Sequence, residues 1–240
     1  SFFYLVNMSK LLGICCGILL SAGGLYGQSS YEGYGLHTTN DGNLWINLPR
    51  GRQLTEKNVI GPSGYLFDEH QPGEVFYTSN NIQAYEALKF RVETNELEVV
   101  TAHKKVFLTP GHILGFALTT EGKNRIFLVA YNANSNSNEF MEVLASNKDV
   151  MLLQDRSIVY KRGDYNPALS VGNKDMFIEK NEYFLLREGV TYPVSTGKKN
   201  VMTLLADKAS RIALFAEDHS LRYNKMEDVL RLIYEYVYIE

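Results

Sequence analysis

Cysteine is scarce in this chain: 240 residues hold two, Cys15 and Cys16, and both lie in one apolar run near the N-terminus. Beyond residue 27 there is none. That excludes disulfides, thiol catalysis and cysteine-ligated zinc or iron–sulfur centres from the rest of the chain. A strong charge of either sign is also lacking. Lysine and arginine number 24 against 27 aspartates and glutamates, a formal net charge of −3. Such a balance gives no basic footprint for nucleic acid, and the pairs Lys104-Lys105 and Lys198-Lys199 read as solvated turns. After the N-terminal run no stretch is long enough to span a membrane, and no repeat of fixed period is present.

The apolar run itself has an ordered setting. Met8 is the first plausible initiator, with residues 1–7 read as upstream of it, and Lys10 supplies a positive start. Leu11–Leu20 is apolar, and the small, uncharged stretch Ser21–Gly27 follows. This is the three-part layout of a secretory signal, with an apolar segment too short for a spanning helix. Cleavage after Gly24 or after Gly27 satisfies the need for a small residue, and the polar chain that opens at Gln28 favours Gly27. An uncleaved anchor starting at Phe2 would have to bury Asn7, Ser9 and Lys10 in lipid. A lipoprotein would need a small residue before its cysteine, where Ile14 or Cys15 stands. The expectation is therefore an exported protein, periplasmic or extracellular, whose mature part of about 210 residues can bury a core without disulfides.

Sixteen tyrosines and twelve phenylalanines fall mostly in alternating patterns, which points to sheet packing. Gln28–Asn43 is rich in Gly, Ser, Thr and Asn and reads as a flexible lead-in. From Leu44 to Ser195 short strands follow one another. Leu88, Phe90 and Val92 alternate with Lys89, Arg91 and Glu93, and Thr94-Asn95 turns the chain into Leu97–Val100. Further strands are expected at 106–108, 113–118, 125–131, 140–144, 150–153, 158–160, 176–178, 183–186 and 190–194. Residues 196–240 change to helical spacing. Asn200–Leu205 and Ala209–Ala216 flank Asp207, a possible cap. Asn224 and Glu227 form a capping box ahead of an apolar stripe, Met226, Val229, Leu230, Ile233 and Val237. The expected fold is α+β and mainly β: an antiparallel meander, as a sandwich or open barrel, covered by a C-terminal helical layer.

Several phrases in this layout resemble those of other proteins. They are Gly61-Pro62-Ser63-Gly64-Tyr65-Leu66-Phe67-Asp68-Glu69, the strand Gly73-Glu74-Val75, the hairpin 88–100, and Phe140-Met141-Glu142-Val143-Leu144. Lys198–Lys208 and Glu227-Asp228-Val229-Leu230 complete the set. From Val59 to the C-terminus the chain resembles a group of exported Bacteroidota proteins with no known activity. It departs from them in the aromatic ending Tyr234–Tyr238. The resemblance implies export and overall shape, and no catalytic residue.

The search for chemistry returns little. Asp68-Glu69-His70 is the densest polar cluster, but on an extended strand only Asp68 and His70 share a face, and a third ligand such as His112 or His103 would have to come from afar. A solvated turn before Gln71-Pro72-Gly73 accounts for it more simply. Gly61-Pro62-Ser63-Gly64 lacks the spacing of a nucleophile elbow, and Gly33-Tyr34-Gly35 lacks the third glycine of a phosphate loop. Asn132, Asn134, Asn136 and Asn138 alternate like calcium ligands, yet Glu139 is the only carboxylate among them, so a flexible hairpin loop is expected. Tyr31, Tyr34 and Trp45 suit docking on the sheet.

Neither a metal nor a cofactor is expected, and Asp68, His70 and His112 are the candidates for a polar or binding site. The leading functional expectation is a non-enzymatic interaction module with a protein or cell-envelope partner. The alternatives are a carrier holding a hydrophobic small molecule between sheet and helices, and a hydrolase pairing His70 or His112 with a carboxylate.

Overall fold

The computed structural model describes residues 64–102, 104–163 and 176–239, with Gly172 and the backbone of 36–38 and 44–46. The signal-like segment, Tyr31, Tyr34, Ser63 and His103 lie outside the described residues.

Among the described residues twelve strands run in chain order: β1 Leu36–Thr38, β2 Leu44–Ile46, β3 Gln71–Tyr77, β4 Ile82–Arg91, β5 Glu96–Val100, β6 Lys105–Leu108, β7 Ile113–Thr120, β8 Lys123–Asn132, β9 Ser137–Ser146, β10 Val150–Lys161, β11 Met176–Arg187 and β12 Val190–Pro193. Helices α1 Lys198–Leu204, α2 Ala209–Asp218 and α3 Met226–Tyr238 follow, with a 3-10 turn at Ala206–Lys208. The fold is the expected mainly-β α+β class, with helices at the C-terminus. None of the described helices is long and apolar enough to cross a membrane.

The described residues fall into two units. One takes the described residues within 23–64 and 158–180, where β1 pairs antiparallel with β2, Leu36 opposite Ile46, and the Tyr160 and Phe177 rings meet edge-on at 5.8 Å. The other takes the described residues within 65–157 and 181–239.

Ten strands form one open sheet in the order β12-β11-β10-β9-β8-β7-β3-β4-β5-β6. The meander is broken once, where β7 returns to pair with β3 rather than with β6. On a flat sheet β6 and β7 would lie four strand spacings apart, about 19 Å. Only residues 109–112 join them, and these close a turn from the His112 amide to the Thr109 carbonyl. The sheet must therefore curl between β7 and β6.

An aromatic core fills that curl. The Phe90 ring of β4 lies 5.3 Å from Phe116 of β7, 5.3 Å from Phe127 of β8 and 6.1 Å from Phe140 of β9. Phe116 and Phe127, paired across the ladder, stack at 4.7 Å. Where backbones crowd, glycine is required: a Cβ on Gly73 would stand 2.0 Å from the Ala117 carbonyl oxygen, and one on Gly115 would stand 2.2 Å from that of Phe127.

Alternation sends the neighbours of these residues to the opposite face. There Phe76, Leu128, Met141, Leu153, Phe184 and Leu186 belong to a second core. Around it the sheet curls the other way, until the Thr191 hydroxyl of β12 donates to the Tyr131 carbonyl of β8 at 2.6 Å. Leu152 and Leu185 point away from this second core, and the helices cover them with Val201, Leu205, Ile212, Val229, Leu232 and Ile233.

Two expected strand pairs are in fact single strands. Residues 150–153 and 158–160 belong to β10, and 176–178 and 183–186 belong to β11. The first six residues of β10 are buried on both faces, so a period-two pattern is missing there. The C-terminal helix also differs from expectation. Its N-cap is Lys225, with no side-chain cap, and Asp228 instead accepts the Arg222 amide at 3.0 Å. Its buried face is Val229, Leu232, Ile233, Tyr236 and Val237, with Met226 and Leu230 only partly covered.

Candidate functional site

Asp68, His70 and His112 do not assemble into one polar site. His112 sits in the β6–β7 turn, where its Nδ1 lies 3.1 Å from the Thr109 hydroxyl. The Asp68 carbonyl accepts a hydrogen bond from Lys89. His70 finds a carboxylate, although not the neighbouring one: its Nε2 lies 2.9 Å from Glu98 Oε1 on β5. Glu98 is 1% exposed and also receives Lys105 Nζ at 2.9 Å and the Tyr65 hydroxyl at 3.3 Å. Burial works against its charge, but the bonds from Lys105 and His70 outweigh that and hold its pKa below the ordinary glutamate value. Register explains the ladder. Glu98 stands between Lys89 and Phe107, and Tyr65 lies against the same strands through its bridge to Arg91. With Lys105 sharing the oxygen that faces His70, the carboxylate is committed to pinning residues 65–70 on the sheet. The contact fastens that segment to β5. Among the described residues no three His, Asp or Glu side chains are placed to hold a metal ion.

A second carboxylate site escaped the sequence reading because its members come from different strands. Asp155 of β10, 3% exposed, lies close enough to Glu139 of β9 for that carboxylate to act on its charge. Asn132, the last residue of β8, donates its amide to both, at 2.9 Å to Glu139 and 3.0 Å to Asp155. The Asn132 Oδ1 accepts the Asn134 amide at 2.8 Å, and Asn134 in turn donates to Glu182 of β11 at 3.0 Å. Ser135 and Ser137 donate to Glu139 at 2.5 and 2.8 Å. Asn136 adopts φ 59°, a left-handed turn conformation that asparagine tolerates. Burial first, then the charges of Glu139 and Glu182, push the Asp155 pKa up to about 7. The expected flexible loop is thus a tied turn. In the sequence Asp155 stands in a polar break, Gln154-Asp155-Arg156, after the apolar start of β10, and nothing local marks it as buried.

The third feature is a cleft of about 790 Å³ where the β9–β10 turn, the β11–β12 turn and the 3-10 turn meet α3. At its centre Tyr236 donates to both Asp207 oxygens at 3.1 Å and accepts from Arg187 Nη1 at 3.2 Å. Arg187 also reaches Asp207 at 3.4 Å and lies over the Tyr192 ring at 5.4 Å. Asp207 is therefore no helix cap but a receptor for a buried phenol. Burial raises the Tyr236 pKa above the ordinary tyrosine value; Arg187 opposes this and Asp207 reinforces it. Lys148, Lys208, Asp149 and Glu188 complete a rim of both signs. Such a lining offers donors and acceptors for polar recognition.

No protein-family model matches the chain, and neither does any curated protein or any solved structure.

Proposed function

We propose that the chain is a non-catalytic binding module whose contact site is the Arg187–Asp207–Tyr236 cleft. The observation that carries this reading is the cleft itself: a concave site with a fixed hydrogen-bonded centre and a rim of mixed charge. A ligand suited to it presents both a cationic and an anionic group, as a segment of another protein does. The helix–sheet contact beside it is filled by residues such as Leu152, Leu185, Leu232 and Ile233, which gives the carrier reading no support. The signal-like N-terminus and the resemblance to exported Bacteroidota proteins support an exported location and a partner in the cell envelope.

Photo-cross-linking tests the site. A photoreactive residue in place of Lys148, on the rim, should give one discrete adduct that disappears with Arg187→Ala. The same residue at Glu121, in the β7–β8 turn, should give none. Equal labelling from both positions, or an adduct indifferent to Arg187, would remove the cleft from the proposal. Export is tested separately by the N-terminus of the purified natural protein, which should be Gln28, or else Leu25; retention of 8–27 would overturn it.

A further inference from the structure

We propose that Asp155 and Glu139 share a proton that latches the β8–β9 turn onto the sheet, and that loss of this proton releases the turn. The geometry carries the idea. Three strands deliver carboxyl groups to one place: Glu139 from β9, Asp155 from β10 and Glu182 from β11. The fourth, β8, delivers the neutral amide of Asn132. Among the described residues, the charges that act most strongly on Asp155 are those of the two glutamates, both negative. One amide nitrogen bridges Glu139 and Asp155, and the oxygen of that same amide holds the Asn134 backbone. With a proton between the two acids, this arrangement is satisfied on every side. Without it, the buried Asp155 carboxylate faces the half-buried Glu139 carboxylate across the one amide donor they share, and the two repel.

Residues 133–136 are the element that can give way, because they lie outside the ladder and two of their side-chain ties run to these acids, while the Asn136 amide stays on the Asn132 carbonyl. Asn134 is tied to Glu182, and Ser135 to Glu139. The release would pass to the edge of the sheet, since the Tyr131 carbonyl that holds Thr191 of β12 is adjacent to Asn132. Burial and the neighbouring glutamates push the Asp155 pKa up to about 7. The latch is independent of the cleft proposed above, and either can fail alone.

Amide hydrogen exchange of Asn134 and Ser135 tests it, corrected for the intrinsic pH dependence of exchange. In the natural sequence, protection should fall about tenfold or more between roughly pH 6 and pH 8.5 as the tie is lost. Asp155→Asn, which supplies a neutral group of the same shape, should keep protection constant over that range. No fall in the natural sequence, or the same fall in Asp155→Asn, would overturn the proposal. Should that variant not fold, the carboxyl carbon resonances of Asp155 and Glu139 decide in the unaltered protein. A joint titration with one step above about pH 6 supports the shared proton, and ionisation of both below about pH 5 refutes it.

Discussion

Glu98 and Asp155 are both sealed from water, at 1% and 3% exposure, and their acidities move in opposite directions. Burial alone would raise both. Glu98 is met by Lys105 and His70, which restore its charge, whereas Asp155 is met by Glu139 and Glu182, which oppose it. The lesson is that partners, and not depth, set the sign. The consequences for stability are also opposite. A lowered pKa at Glu98 contributes stability that is present above the ordinary glutamate value and is lost as pH falls through the lowered one. A raised pKa at Asp155 contributes stability that is present below the ordinary aspartate value and is lost as pH rises through about 7. One carboxylate fastens the fold against alkali and lets go in acid; the other does the reverse.

The largest effect expected is one that should leave this contrast untouched. Phe90 faces the aromatic core from β4, on the side of the sheet away from Glu98, and its ring meets three others. Phe90→Ala should cost about 3–5 kcal/mol in chemical denaturation. The cost should be the same at acid and alkaline pH, because no titrating group is involved. A pH-dependent cost would mean that the core and the Glu98 fastening are coupled. A smaller effect is expected from Glu98→Gln, which removes the charge and leaves Lys105 and His70 without their carboxylate. It should cost about 1–3 kcal/mol near pH 7, and the cost should shrink in acid, where the natural glutamate is itself protonated. An equal cost at all pH values would show that shape rather than charge holds residues 65–70 in place.

The limits of sequence reading fall along the same line. Helices, hairpins and most strands were legible because alternation and helical spacing are local. The joins within β10 and β11 were not, because Gln154-Asp155-Arg156 and Glu179–Glu182 read as polar breaks. Gln154 and Asp155 are buried in the strand because Asn181, Asn132 and Glu139 satisfy them from strands distant in sequence. His70 was singled out for its neighbours Asp68 and Glu69, yet its partner lies 28 residues away and is set by the register of β5. The α3 stripe included Leu230, whereas Leu232 and Tyr236 are the residues more fully covered. The layer packs on a bulged sheet whose contact face a helical period alone does not locate. The cleft is not legible at all, since Arg187, Asp207 and Tyr236 meet only once the helices have docked.

Opposite control of the two carboxylates by their partners is tested by thermal stability from about pH 4 to pH 9 for the natural sequence and for Asp155→Asn. It requires a maximum for the natural sequence on the acid side of neutrality, and a decline as pH rises through the region of 7. Asp155→Asn should remove that decline, gaining on the order of 1–2 kcal/mol over the natural sequence at about pH 8.5, and should keep the acid limb that belongs to Glu98. A natural profile that is flat across neutrality, or an alkaline decline that survives in Asp155→Asn, would contradict it.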